Sequence, residues 1–218
     1  MRTIAVIALK GGSGKTTLAA HLALAAHLRG RKTLVADLDP QRSASEVLSA
    51  RTAEGPARLD ATGPTLFAAQ LAAVGAGMEL MVVDTAAGAV EDVGQAIVLA
   101  DLSLLVVRPT LLDIAAAVRT VDIVRRLKKQ AVFVVNQAPV AREGVEPPAV
   151  KRALRALELM PLPVAPTILR TRSVYQTALE TGRSAEESLD PLASREIADL
   201  WAYIEGLTFA ERERTAIV

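Results

Sequence analysis

Short apolar runs alternate along the chain with longer stretches in which apolar positions recur at helical spacing. The runs TIAVIAL (residues 3–9), TLVAD (33–37), LMVVD (80–84), LSLLVV (102–107) and AVFVVN (131–136) are rich in Val, Ile and Leu. They lack the polar alternation of a strand with one wet face, which predicts strands covered on both sides, as in a parallel sheet. Between them, residues 17–29, 65–74, 91–100 and 112–129 predict helices. The first two stop on Gly30 and Gly75, and the last carries basic residues in its final turn. Two further helices are expected at 149–157 and 191–207. This order predicts a single α/β domain over residues 1–207, followed by a C-terminal tail at 208–218. Its doubly wound, mainly parallel sheet is flanked by helices, and its ligand sites lie at the carboxyl ends of the strands. The stretch after Asn136 carries Pro139, Pro147, Pro148, Pro161, Pro163 and Pro166 and shows neither period.

Composition narrows the chemistry. A chain of 218 residues that is 51% hydrophobic suffices for one domain with a substantial core. There is no cysteine, which excludes disulfides, zinc thiolates, iron–sulfur clusters and thiol nucleophiles, and fits a reducing, cytoplasmic setting. The N-terminus reads as a strand rather than a secretion signal, and no run approaches the roughly 18 apolar residues of a membrane span. The net charge of +1 hides an asymmetry: residues 119–195 hold 13 Lys and Arg against 8 Asp and Glu. Solvated helix faces account for such an excess as readily as an anion-binding surface does.

Three strand ends carry candidate chemistry. In KGGSGKT (10–16), Leu9 stands where a strict phosphate-loop pattern has glycine. The loop chemistry survives that change, because Gly11, Gly12 and Gly14 let the backbone curl so that its N–H groups, with those of Ser13, face inward. A helix beginning near Thr16 and Thr17 adds its positive end. This is a cradle for phosphate oxygens, with Lys15 on the β and γ groups and the Thr16 hydroxyl on Mg2+. ADLDPQ places Asp37 and Asp39 at the second strand end, and LMVVD closes on Asp84, where a carboxylate holds magnesium through water. Lys10 is left over. Two lysines on one tight loop repel unless negative charge lies beside them.

KGGSGKTT (10–17), DLDPQ (37–41), VVDTAAG (82–88) and VRPTLLDIAAA (107–117) resemble the deviant-Walker ATPases of the ParA and MinD type. TILRTRSVYQTALETGRSAEE (167–187) is similar to the late segment of the small, ParF-like partition ATPases that lack an N-terminal helix-turn-helix. The resemblance implies a slow, Mg2+-dependent ATPase that forms an ATP sandwich homodimer and binds DNA without sequence preference. A ParB- or ParG-like partner, or a cargo adaptor, would stimulate hydrolysis on the nucleoid. It also implies that Lys10 is the signature lysine reaching phosphates held by the other subunit. By the same resemblance Asp39 positions the attacking water, Asp37 lies near the magnesium shell, and Asn136 lies near the adenine. The basic late segment then offers Arg170 and Arg172, with Lys151, Arg152 and Arg155 behind them, as DNA contacts. One departure stands out: Ala86 and Ala87 replace the usual Asp-x-Pro-Pro continuation. A membrane-cycling relative is disfavoured because GLTFAERERTAIV has mixed charge and little apolar face. The alternative is a small-molecule ligase or amidase of similar fold, against which no second polar constellation stands out and Lys10 would have no task.

Overall fold

The computed structural model describes residues 1–215, with side chains through residue 209. Six strands form one sheet: β1 (Arg2–Ile7), β2 (Thr33–Asp37), β3 (Ala57–Asp60), β4 (Leu80–Asp84), β5 (Leu102–Val107) and β6 (Ala131–Val135). All pair in parallel, in the order β3-β2-β4-β1-β5-β6. The chain works outward from β1 on one side and then crosses to the other, so the crevice at the carboxyl end of β1 is the switch point of the sheet.

The helices are α1 (Lys15–Leu28), α2 (Ser43–Ser49), α3 (Gly63–Gly75), α4 (Val90–Leu99), α5 (Leu111–Leu127), α6 (Pro148–Glu158), α7 (Val174–Thr177) and α8 (Pro191–Thr215). Because successive strand side chains point to opposite faces, each apolar run feeds two cores. Ile4, Val6, Leu104 and Val132 pack with Leu22, Leu200 and Trp201 of α1 and α8. Ala5, Ile7, Met81 and Phe133 pack with Leu66, Ile97, Val121 and Leu157 of α3 to α6. Each fully buried Leu, Ile or Val stabilises the fold by about 1.5–3 kcal/mol. Helix α1 is unusual in burying nearly its whole circumference from Leu18 to Ala26, since it lies against the sheet with α2 and α8 over it. Its alanines make that close approach possible. No helix among the described residues is long and apolar enough to cross a membrane.

The expected strands are all present, and the sheet is wholly parallel. Strand β3 and helix α2 were not expected from the sequence: β3 reads ARLD, sits at the sheet edge and is mostly exposed, so it lacks an apolar run. Helix α8 continues past Leu207 to Thr215, so the expected tail begins as helix, and residues 216–218 lie outside the described residues. The proline-studded stretch also has a physical account. Phe133 and Ala138 donate backbone N–H to Pro163 and Leu169, and Ala165 and Leu169 donate to Phe133 and Val135, so the segment runs beside β6 like an interrupted strand. Pro163 and Pro166 have no N–H to give, which keeps it out of the sheet proper.

Candidate functional site

The loop between β1 and α1 is built by backbone constraint. Gly12 and Gly14 hold φ of 74° and 86°, the left-handed region that glycine enters without strain. At Gly14 space matters as well, since a Cβ there would lie 2.4 Å from Asn136 Nδ2. Asn136 Nδ2 donates to Ser13 O (2.8 Å) and Gln137 Nε2 donates to Gly12 O (3.1 Å), so the end of β6 fixes the loop by its carbonyls. The amides of α1's first turn receive neither a side-chain cap nor an acidic residue. They present the positive helix end to whatever the loop holds.

Lys15 is buried at the start of α1, and burial lowers its pKa against the pull of Asp84 and then Asp39. Asp84, at the end of β4, is fully buried and neither carboxylate oxygen has a hydrogen-bond partner among the described residues. Burial pushes it up to about 7; the Thr16 hydroxyl and Lys15 oppose this while Asp37 and Asp39 add to it. An unpartnered buried carboxylate is costly unless something cationic completes it. With the Thr16 hydroxyl and two aspartates nearby, the donors are the all-oxygen set a hard divalent ion takes. Asp37 differs from Asp84: its carboxylate accepts the N–H of Asp39 (3.0 Å) and of Ser45 (2.9 Å), shaping the turn between β2 and α2. Asp39 is half-buried on that turn and accepts from Gln41 N.

Lys10 pairs with a residue of α5. Its Nζ lies 2.7 Å from Oδ2 of Asp113, which is buried in the first turn of α5. The same carboxylate accepts from Arg108 Nε (2.9 Å) and Nη2 (3.3 Å) and from the Thr110 hydroxyl. Burial works to raise the Asp113 pKa, but hydrogen bonds from Arg108, Lys10 and Thr110 overcome it and bring the carboxyl to about 2. Asp113 and Arg108 lie inside the VRPTLLD motif, yet sequence reasoning did not single them out.

A recess of about 160 Å³ opens on the other flank of the loop, lined by Gly14, Thr17, Asn136, Arg172 and Tyr175. His21 closes its floor: Nδ1 accepts the Ala185 N–H, so Nε2 carries the proton and donates to Tyr175 O (2.9 Å). Burial lowers His21 to about 4, so it is neutral. It ties α1 to the late segment.

Here the expected DNA contacts divide. Arg170 is bound through both terminal nitrogens to Glu146 (2.9 and 2.5 Å) and also to Pro139 O. Arg172 is bound to Glu196 (3.0 and 2.8 Å), whose other oxygen accepts from the Tyr175 hydroxyl and Arg170 N. Both guanidiniums are thus anchored on carboxylates along the recess wall, Arg170 through both terminal nitrogens and Arg172 through Nε and Nη2. Lys151, Arg152 and Arg155 are exposed on α6 and form no ion pair among the described residues.

Comparison with known proteins agrees with this geometry. Residues 4–183 match the CobQ/CobB/MinD/ParA nucleotide binding domain. The maintenance of carboxysome distribution protein A of Halothiobacillus neapolitanus is 30% identical over 196 residues, covering 84% of this chain and 85% of that protein. A segment of 47 residues, 22% of this chain, is 55% identical to replication protein A of Sinorhizobium fredii but spans only 12% of that relative. The septum site-determining protein MinD of Pyrococcus horikoshii, solved with Mg-ADP, superposes with a TM-score of 0.75 at 18% identity, over 94% of this chain and 96% of that one.

Proposed function

Since the chain belongs to the CobQ/CobB/MinD/ParA nucleotide-binding family, we propose that it is a ParA-type, Mg2+-dependent ATPase whose output is a change of dimer state that positions a cargo. The observation that carries this reading is Asp84. A carboxylate fully buried and unpartnered beside Lys15 and Thr16 makes a poor structural element and a good half-site for a cation. A magnesium ion bound there supplies the positive charge that lets the carboxyl ionise and offsets the charge of the nucleotide phosphates.

The chain's own residues then divide the work. Gly11, Gly12, Ser13 and Gly14 hold phosphate oxygens through backbone N–H groups, with Thr16 and Thr17 at the helix end, and Lys15 neutralises charge within the same subunit. Thr16 and Asp84 hold the ion, with Asp37 bracing the turn behind them. Asp39, partly open to solvent, orients the attacking water. Asn136 places the recess edge against the adenine. Lys10 stands outside its own loop, and two copies closing face to face bring it to the phosphates of the other. A partner bound to cargo, of the ParB or ParG kind or an adaptor, stimulates hydrolysis and release. Non-specific DNA is held by Lys151, Arg152 and Arg155, presented twice by the dimer.

The two lysines test the reading because they should fail differently. Lys15→Ala should weaken binding of a slowly hydrolysed ATP analogue about tenfold or more, the worth of a charge-assisted contact. Lys10→Ala should bind the analogue but stay monomeric by light scattering. A Lys10→Ala protein that dimerises as wild type does removes the reach between subunits.

A further inference from the structure

We infer that Arg108 is a second cation of the phosphate site, donating the outer edge of its guanidinium to the phosphate groups of a nucleotide held by the loop 10–16. The inference rests on the nucleotide-binding reading above, and concerns a residue that reading does not use.

The geometry is that of a side chain anchored on one edge and open on the other. Nε and Nη2 of Arg108 are bound to Asp113, which fixes the plane of the group. Nη1 has no hydrogen-bond partner among the described residues. It sits against the loop, where a Cβ built on Gly12 would lie only 3.6 Å away. The side chain is 26% exposed, so it is not closed off in the core. Arg108 directly follows β5 and precedes Pro109, and only residues 108–110 separate the strand from α5. Such a short connection leaves the guanidinium little room to swing.

Charge points the same way. Asp113 is shared by Arg108 and Lys10, and neither cation pairs with another carboxylate among the described residues. One carboxylate between two cations leaves a net positive cluster at the loop mouth, which calls for an anion. Arginine suits the task, since its planar fork can hold a carboxylate with one edge and a phosphate with the other, and the anchored edge lowers the entropy lost on contact. The phosphates belong either to the nucleotide of the same subunit or to that of a facing copy; the chemistry is the same.

The test uses fluorescent ATP and ADP analogues with the full chain, comparing wild type, Arg108→Gln and Arg108→Lys, each also with Lys10→Ala. Arg108→Gln should weaken ATP binding about tenfold or more, with a smaller loss for ADP, and should lower the melting temperature without nucleotide no more than Asp113→Asn does. Arg108→Lys should recover part of the loss. A loss that persists alongside Lys10→Ala places the contact within one subunit. A loss that disappears there, and shows instead as a weaker ATP-dependent dimer by light scattering, places it across the interface. Unchanged ATP binding and dimer mass in Arg108→Gln overturn the inference, as do equal losses for ATP and ADP. A wild-type protein that binds neither nucleotide overturns the underlying reading as well.

Discussion

Two buried carboxylates flank the strand that feeds the phosphate loop, and the fold treats them in opposite ways. Asp84, at the end of β4, has no hydrogen-bond partner among the described residues and its carboxyl is pushed up to about 7 by burial, with Asp37 and Asp39 adding to the shift. Asp113, beyond the end of β5, is just as inaccessible, yet hydrogen bonds from Arg108, Lys10 and Thr110 outweigh its burial and hold it at about 2. Burial alone therefore does not set the charge of a group; the donors around it do. The contrast separates a group that awaits a ligand from one that organises its neighbours. Asp84 keeps its lone pairs for a cation, while Asp113 spends its own on fixing two cations at the loop mouth.

The largest expected effect comes from removing the unsatisfied charge. A shift of Asp84 from 3.8 to about 7 corresponds to about 4 kcal/mol of ionisation cost, at about 1.4 kcal/mol per unit. Its folded pKa is raised, so the stability it contributes is intact below about pH 4 and is lost as pH climbs through 7. Asp84→Asn should stabilise the metal- and nucleotide-free protein by about 2–4 kcal/mol at pH 8, the lower value allowing for an amide that also lacks partners. The gain should vanish near pH 4, and Mg2+-dependent nucleotide binding should be lost. Urea unfolding at the two pH values, with chelator present, measures this. Equal stability of variant and wild type at pH 8 would mean that Asp84 finds a partner in solution.

Asp113 should respond with the opposite sign. Its folded pKa is depressed, so its contribution is present above about pH 4 and fades as pH falls towards 2. Asp113→Asn should cost about 1–2 kcal/mol at pH 7, a figure reduced because Lys10 and Arg108 are partly exposed to screening solvent. It should also release both cations, and thereby change ATP-dependent dimerisation. A variant with wild-type stability at pH 7 would make the cluster a surface convenience.

What the sequence reveals follows from the same physics. Four of the five expected strands lie in the middle of the sheet, where burial on both faces leaves a continuous apolar run. β3 does not, and ARLD carries no such signal. The glycines and Lys15 are legible because a phosphate cradle demands them at fixed spacing within one loop. Asp113 is not, because its partner Lys10 is 103 positions away and the β1–β5 pairing brings the two together; Arg108 is not, because only the fold lays its guanidinium against Gly12. The ion pairs of Arg170 and Arg172 are hidden in the same way. Their carboxylate partners, Glu146 and Glu196, lie 24 residues away on separate elements, so charge alone could not distinguish a structural pair from an open contact.

That distinction gives the smallest effect on stability and the final way to break the comparison. If satisfied groups organise and unsatisfied groups await ligands, the cations of the late segment should sort as the carboxylates do. Arg172→Ala strips Glu196 of its guanidinium beside the buried Tyr175 hydroxyl and should cost about 1–2 kcal/mol by urea unfolding. It should leave the salt dependence of DNA binding as in wild type. Lys151→Glu, Arg152→Glu and Arg155→Glu change exposed side chains of α6 with no ion pair among the described residues, so each should alter stability by less than about 0.5 kcal/mol. Each should nonetheless weaken DNA binding by the ATP-bound dimer, and each phosphate contact removed should lower the slope of log affinity against log salt by about 0.9. Because such contacts read no bases, two unrelated duplexes should be affected alike. Gel shifts over a salt series compare the two sets directly. A stably folded Arg172→Ala protein that loses DNA binding, beside α6 variants that retain it, would show that ion pairing in the closed chain does not predict which cations meet the ligand.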